Sequence, residues 1–119
     1  MEKELIVSGE LTNERIVILI DTAIEVLQRG WCQHRLWEIS YDDNGRQIST
    51  YCAEGAVRKA FELHYIWASP LNELWLKLSE VCREMHGLSL VCFNDEPGTT
   101  ADDVIAVFEK ARARFEEEV

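Results

Sequence analysis

Apolar residues at Ile16, Leu19, Ile20, Ala23 and Leu27 recur at the three- and four-residue spacing of one helix face, although the run 16–20 alone reads as a strand. Thr12 or Asn13 is placed to cap the start of that helix, and Gly30 stands at its C-cap position. Val17, Ile24 and Val26 widen the apolar face, which predicts a central helix contacted from two sides. The period then changes. Within 36–41, Trp37, Ile39 and Tyr41 alternate with polar neighbours, and 46–50 is a second extended run. Between them, Asp42-Asp43-Asn44-Gly45 carries the Asn-Gly signal of a hairpin turn. One face of the hairpin is expected to lie on the helices, with its tip exposed.

Residues 51–68 return to helical spacing, with Cys52, Ala56, Ala60, Leu63 and Trp67 in one stripe. Gly55 and the alanines of that stretch allow another element to come close. Ser69 and Pro70 restart the chain as N-cap and first helical residue. A third stripe follows through Leu71, Leu74, Leu78, Val81, Cys82 and Met85, and Gly87 closes it. With almost no linker, these two helices are expected to form a tight helix-turn-helix pair. Residues 88–93 are extended and apolar and are expected to form a buried strand, followed by the turn-rich loop 94–98. Thr99 or Thr100 caps the last helix, with Asp102 and Asp103 in its first turn and Val104, Val107, Phe108, Ala111 and Phe115 facing inward. Residues 4–8 read as an edge strand or an ordered arm, and the closing acids Glu116, Glu117 and Glu118 as a solvated end. The expected fold is α+β, mainly α. About four helices surround one core, with a β-hairpin and room for one or two short extra strands, in a single domain over 1–119.

Charge adds a constraint on partners. Twenty-two acidic against twelve basic side chains leave a net charge of -10. The cations are scattered, so direct nucleic-acid binding is disfavoured and a protein partner with a basic surface is the more natural expectation, beside plain solubility. No apolar stretch nears the roughly 20 residues of a membrane span. The acidic start Met1-Glu2-Lys3-Glu4 lacks a signal-peptide pattern, which points to the cytoplasm. Cys32, Cys52, Cys82 and Cys92 lie far apart without a C-x-x-C pair and read as reduced, buried thiols that pack like small hydrophobic residues.

Three segments stand out together: Gly30-Trp31-Cys32-Gln33, Cys52-Ala53-Glu54-Gly55-Ala56 with Ala60, and Phe93-Asn94-Asp95-Glu96-Pro97-Gly98 through Thr100, Asp103 and Val104. In this order and spacing the chain resembles a family of small bacterial and phage proteins classed as a domain of unknown function. The pattern spans the first helix to the last. It departs from the family at Phe93, where Trp is usual, and at Thr99, where a basic residue is common. The resemblance supports the architecture, implies a chromosomal accessory or mobile-element setting, and carries no catalytic residues.

Candidate chemistry is sparse. Cys32, His34 and Cys52 could meet at the base of the hairpin as zinc ligands, but zinc needs about four, usually in close pairs. Burial of the two cysteines in the core is the simpler expectation. An EF-hand reading of the hairpin tip fails, because aligning Gly45 as the sixth loop position puts Ser40 first and Tyr51 last. His64 and His86 stand beside no recognisable nucleophile, no phosphate-cradling glycine loop is present, and no cofactor is called for. Asp42, Asp43, Asn94, Asp95 and Glu96 are candidates for gripping a partner, although Asn and Asp in such a loop often satisfy backbone groups instead. The leading expectation is a non-catalytic protein-interaction module, with self-association as a further mode. The alternatives are an acidic inhibitor of a host nucleic-acid-binding defence enzyme and a small enzyme or ligand-binding protein.

Overall fold

Thr12 begins the first helix as its sequence predicts, its Oγ1 accepting from the Arg15 N–H at 3.2 Å. The computed structural model describes residues 12–64, 66 and 69–117. In chain order these form α1 (Asn13–Arg29), β1 (Trp37–Tyr41), β2 (Gln47–Tyr51), α2 (Ala53–Leu63), α3 (Ser69–His86), α4 (Leu90–Asn94) and α5 (Ala101–Glu117). The fold is mainly helical with one antiparallel hairpin, an α+β arrangement. α1 is the central element and packs on α5, α2 and β2. Its buried residues Ile16, Leu19, Ile20, Ala23 and Leu27 are those of the predicted stripe. They meet Phe61 from α2, Leu74 and Leu78 from α3, Leu90 from α4, and Val104 and Phe108 from α5 in one core. Side chains of this size contribute about 1.5–3 kcal/mol each when buried.

Gly30 ends α1 but works differently from an ordinary glycine stop. Its φ of 173° is extended backbone, and its role is close approach: a Cβ there would lie 2.7 Å from Thr50 Cγ2. Residues 30–32 run beside β2, with the Tyr51 N–H donating to the Gly30 carbonyl at 3.0 Å and the Cys32 N–H to the Tyr51 carbonyl at 3.1 Å. Tyr51 is thus committed to strand pairing, and α2 starts only at Ala53, capped by Cys52. It is shorter than the predicted 51–68. It stops at Leu63, an exposed residue, while Trp67 and segment 4–8 lie outside the described residues. Gly55 is required in its first turn, because a Cβ there would fall 1.9 Å from the Leu36 carbonyl oxygen.

The expected strand over 88–93 is a helix instead. Gly87 (φ 76°) closes α3, and Ser89 Oγ accepts from the Cys92 N–H to cap α4. Leu90 and Phe93 are buried while Val91 and Cys92 are exposed, a three-residue period that a strand cannot supply. His86 stacks on Phe93 at 4.0 Å and fixes the short helix on α3. Among the described residues five helices therefore replace the expected four, and the hairpin strands are the only strands. α5 opens on a reciprocal cap: the Thr100 N–H donates to Asp103 Oδ2 at 2.9 Å, and the Asp103 N–H to Thr100 Oγ1 at 3.2 Å.

Candidate functional site

The hairpin pairs Trp37 with Tyr51, Ile39 with Ser49 and Tyr41 with Gln47. Side chains on opposed residues share a face, so Trp37, Ile39 and Tyr41 form one row. That row faces solvent: Trp37 is 55% exposed, Ile39 47% and Tyr41 66%. The opposite face holds Glu38, Ser40, Ile48 and Thr50, and Thr50 is buried against Gly30 with its hydroxyl donating to the Glu38 carbonyl at 3.2 Å. Beside the base of the row, an open groove of about 310 Å³ is walled by Trp37 and Tyr51 on one side and Arg58, Lys59 and Glu62 on the other. Arg58 pairs with Glu54 at 2.8 Å and Lys59 with Glu62 at 3.3 Å, so charge along this wall is balanced.

A second constellation lies at the base of the hairpin, where residues 31–34 meet 94–96. Asn94 is 2% exposed. Its Oδ1 accepts from Trp31 Nε1 at 2.8 Å and from the Ala53 N–H at 3.0 Å, while its Nδ2 donates to the Cys32 carbonyl at 3.3 Å and Asp95 Oδ1 at 3.0 Å. Gln33 Nε2 donates to the carbonyls of Asn94 and Glu96, at 3.0 and 3.2 Å. Asp95 Oδ1 also accepts from the His34 N–H at 2.8 Å, holding His34 at a φ of 71°. Every donor and acceptor of the Asn94 amide is occupied, so this clasp ties the α1–β1 connection, the start of α2 and the end of α4 into one unit.

The three segments singled out in the sequence therefore converge on one polar junction. A family model described as a family of unknown function, DUF6197, matches residues 12–114. The chain belongs to the DUF6197 family. No curated protein and no solved structure matches it. For this DUF6197 chain the motif residues Trp31, Gln33, Asn94 and Asp95 are explained by the clasp they build.

The zinc candidates are separated by their own roles. Cys32 is buried and its thiol donates to the Arg35 carbonyl at 3.5 Å. Cys52 Sγ accepts from the Gly55 N–H at 3.4 Å as the cap of α2. The His34 ring is exposed and lies 3.7 Å from Asp95. Among the described residues no group of three His, Cys, Asp or Glu side chains is placed to hold a metal ion. Burial pushes the Cys32 and Cys52 thiols up and Cys82 to about 11, which disfavours the thiolate.

The partner-binding candidates divide in the same way. Asn94 is enclosed, and Asp95 is half-buried with one oxygen engaged. Asp42 accepts from the N–H groups of Asn44 and Arg46 and shapes the hairpin tip. Asp43 and Glu96 are exposed. They stand at opposite ends of the hairpin, one at its tip and one beside its base. Periodicity does not mark Trp31 and Gln33 as clasp partners; the signal for Trp31 is its half-buried indole N–H, which requires an acceptor.

Proposed function

We propose that this protein is a non-catalytic interaction module that docks a protein partner on the outer face of the hairpin. The observation that carries this reading is the solvent-facing row of Trp37, Ile39 and Tyr41. An adjacent set of aromatic and branched side chains in water is unfavourable unless something covers it, and aromatic anchors dominate the energetics of protein interfaces. The partner is a protein that presents an apolar patch with a basic flank. The chain's net charge of -10 draws such a surface in, and Asp43 at the hairpin tip and Glu96 beside its base meet it. No helix among the described residues is long and apolar enough to cross a membrane, and the reading places the interaction in the cytoplasm. A phage or mobile-element setting suits such an accessory module. Nucleic-acid mimicry needs an unbroken acidic row, and pairing of Asp21, Glu54, Glu62 and Glu84 with Arg or Lys side chains interrupts one.

A photo-crosslinker placed at position 41 of the intact chain, in native host extract, tests the reading. The expected result is a basic protein captured at low salt, with capture weakened by added salt and lost in Trp37→Ser/Ile39→Ser, whose circular dichroism stays native. Equal capture by that double variant overturns it.

A further inference from the structure

Among the described residues the outer edge of β1 is unpaired. The Asp42 N–H donates to the Arg46 carbonyl at 2.9 Å and the Cys52 N–H to the Leu36 carbonyl at 3.1 Å. Because bonded and non-bonded pairs alternate along an antiparallel ladder, Glu38 and Ser40 are the β1 residues that bond to β2. The N–H and C=O groups of Trp37, Ile39 and Tyr41 therefore point off the far edge. β2 is flanked by Trp31 on its other side and by α1, whereas β1 packs extensively on β2 only, among the described residues. An open edge of this kind is a template for another strand.

We propose that β1 pairs antiparallel with β1 of a second copy about a two-fold axis through Ile39, joining two hairpins into one continuous sheet. The proposal rests on the hairpin being the docking element and names one of its partners. The strand is self-complementary in this register. Ile39 faces its own symmetry mate, and Trp37 faces Tyr41 of the second copy, so the apolar row continues across the axis with aromatic cross-strand pairs. Each of these pairs falls where edge N–H and C=O groups are free to exchange hydrogen bonds. On the opposite face Glu38 meets Ser40 rather than another Glu38. Charge is not what drives the contact: Glu38 is the one ionised side chain within β1 and is matched by Arg35 of its own chain at 3.5 Å, while the net charge of -10 opposes association at long range. A five-residue edge spans about 17 Å, short for an interface of roughly 1,600 Å², which puts the dimer in the reversible class with dissociation on the order of tens of micromolar. The joined sheet keeps its outer face open and doubles the apolar row offered to the partner above.

Sedimentation velocity on the intact chain across that concentration range is expected to show a monomer–dimer equilibrium. Ile39→Lys and Ile39→Glu each place like charges face to face on the axis and are expected to weaken the dimer roughly tenfold. Mixing the two variants is expected to restore a heterodimer, which a merely structural role for Ile39 would not do. A chain that stays monomeric throughout, or variants that dimerise as the parent does, overturns the proposal. So does a photo-crosslinker at position 39 that captures residues 1–11 of its own chain instead of a second copy. A monomer whose capture of the basic partner still needs Trp37 and Ile39 overturns the dimer and leaves the docking reading standing.

Discussion

The clasp and the hairpin face lie at adjoining ends of the same strands and invert the usual sorting of polar and apolar groups. Asn94, a polar residue in a turn-rich segment, is enclosed and fully hydrogen-bonded. Trp37, Ile39 and Tyr41, an apolar row on a strand, are left in water. Burial of the amide is sustained because all its hydrogen-bonding positions are matched, which removes the desolvation penalty of a polar group. Exposure of the row has no such compensation among the described residues. One region is closed by its own contacts, and the other is the face the proposed docking would cover.

Substitutions that break the closed region have the largest expected effects. Gly55→Ala puts a Cβ within 1.9 Å of the Leu36 oxygen, backbone just before β1 that can move only by giving up its hydrogen bond from the Cys52 N–H at the start of α2. It is expected to cost about 4 kcal/mol or more, seen as loss of a cooperative thermal transition. Asn94→Ala leaves the Trp31 indole N–H and the Ala53 N–H without their acceptor, at roughly 3 to 5 kcal/mol by chemical denaturation. Asn94→Asp keeps the acceptor but removes both donors and sets a carboxylate beside Asp95. Its folded-state pKa would be raised by burial and by that neighbour, so stability is present in acid and lost as pH rises. The variant should therefore unfold more readily at pH 7 than at pH 4.5.

Much of the clasp was visible in the order of its segments but not in its purpose. Gly30 was legible as the end of α1, yet its closeness to Thr50 depends on a chain crossing that no local pattern encodes. α4 was hidden because 88–93 is apolar nearly throughout, and only Ser89 marked a helix start. The hairpin was legible in strands, turn and α+β setting. Alternation places Trp37, Ile39 and Tyr41 together, and the usual rule turns such a row inward. Which face packs is decided by Thr50, held against Gly30, a long-range contact outside the reach of periodicity.

Thiol reactivity sharpens the comparison with a smaller effect. Cys92 is exposed, whereas burial raises the Cys32, Cys52 and Cys82 thiols, Cys82 from 9.0 to about 11. At pH 8 an alkylating reagent read by peptide mass spectrometry should modify Cys92 first. A raised folded-state pKa means that stability is full below pH 9 and declines as pH climbs through about 11. In Asn94→Ala, modification of Cys32 and Cys52 should accelerate more than that of Cys92, because the clasp shields the first two alone. Equal acceleration at all cysteines would instead mean global unfolding.

The smallest effect on stability is expected where the exposed side chains are largest. Trp37→Ser with Tyr41→Ser removes two aromatic rings, a change that in a core costs about 3 kcal/mol or more per residue. Here both rings are more than half exposed, so little apolar area returns to water and no cavity forms. What is lost is cross-strand contact with Tyr51 and Gln47, worth up to about 1 kcal/mol per pair, offset by relief from solvating the aromatic row. The net change should stay near or below about 1 kcal/mol in a denaturant titration. A loss of several kcal/mol would show that the row is part of the fold and undo the contrast with the clasp. A near-neutral result shows that the row adds little to the stability of the fold, as the proposed docking role expects.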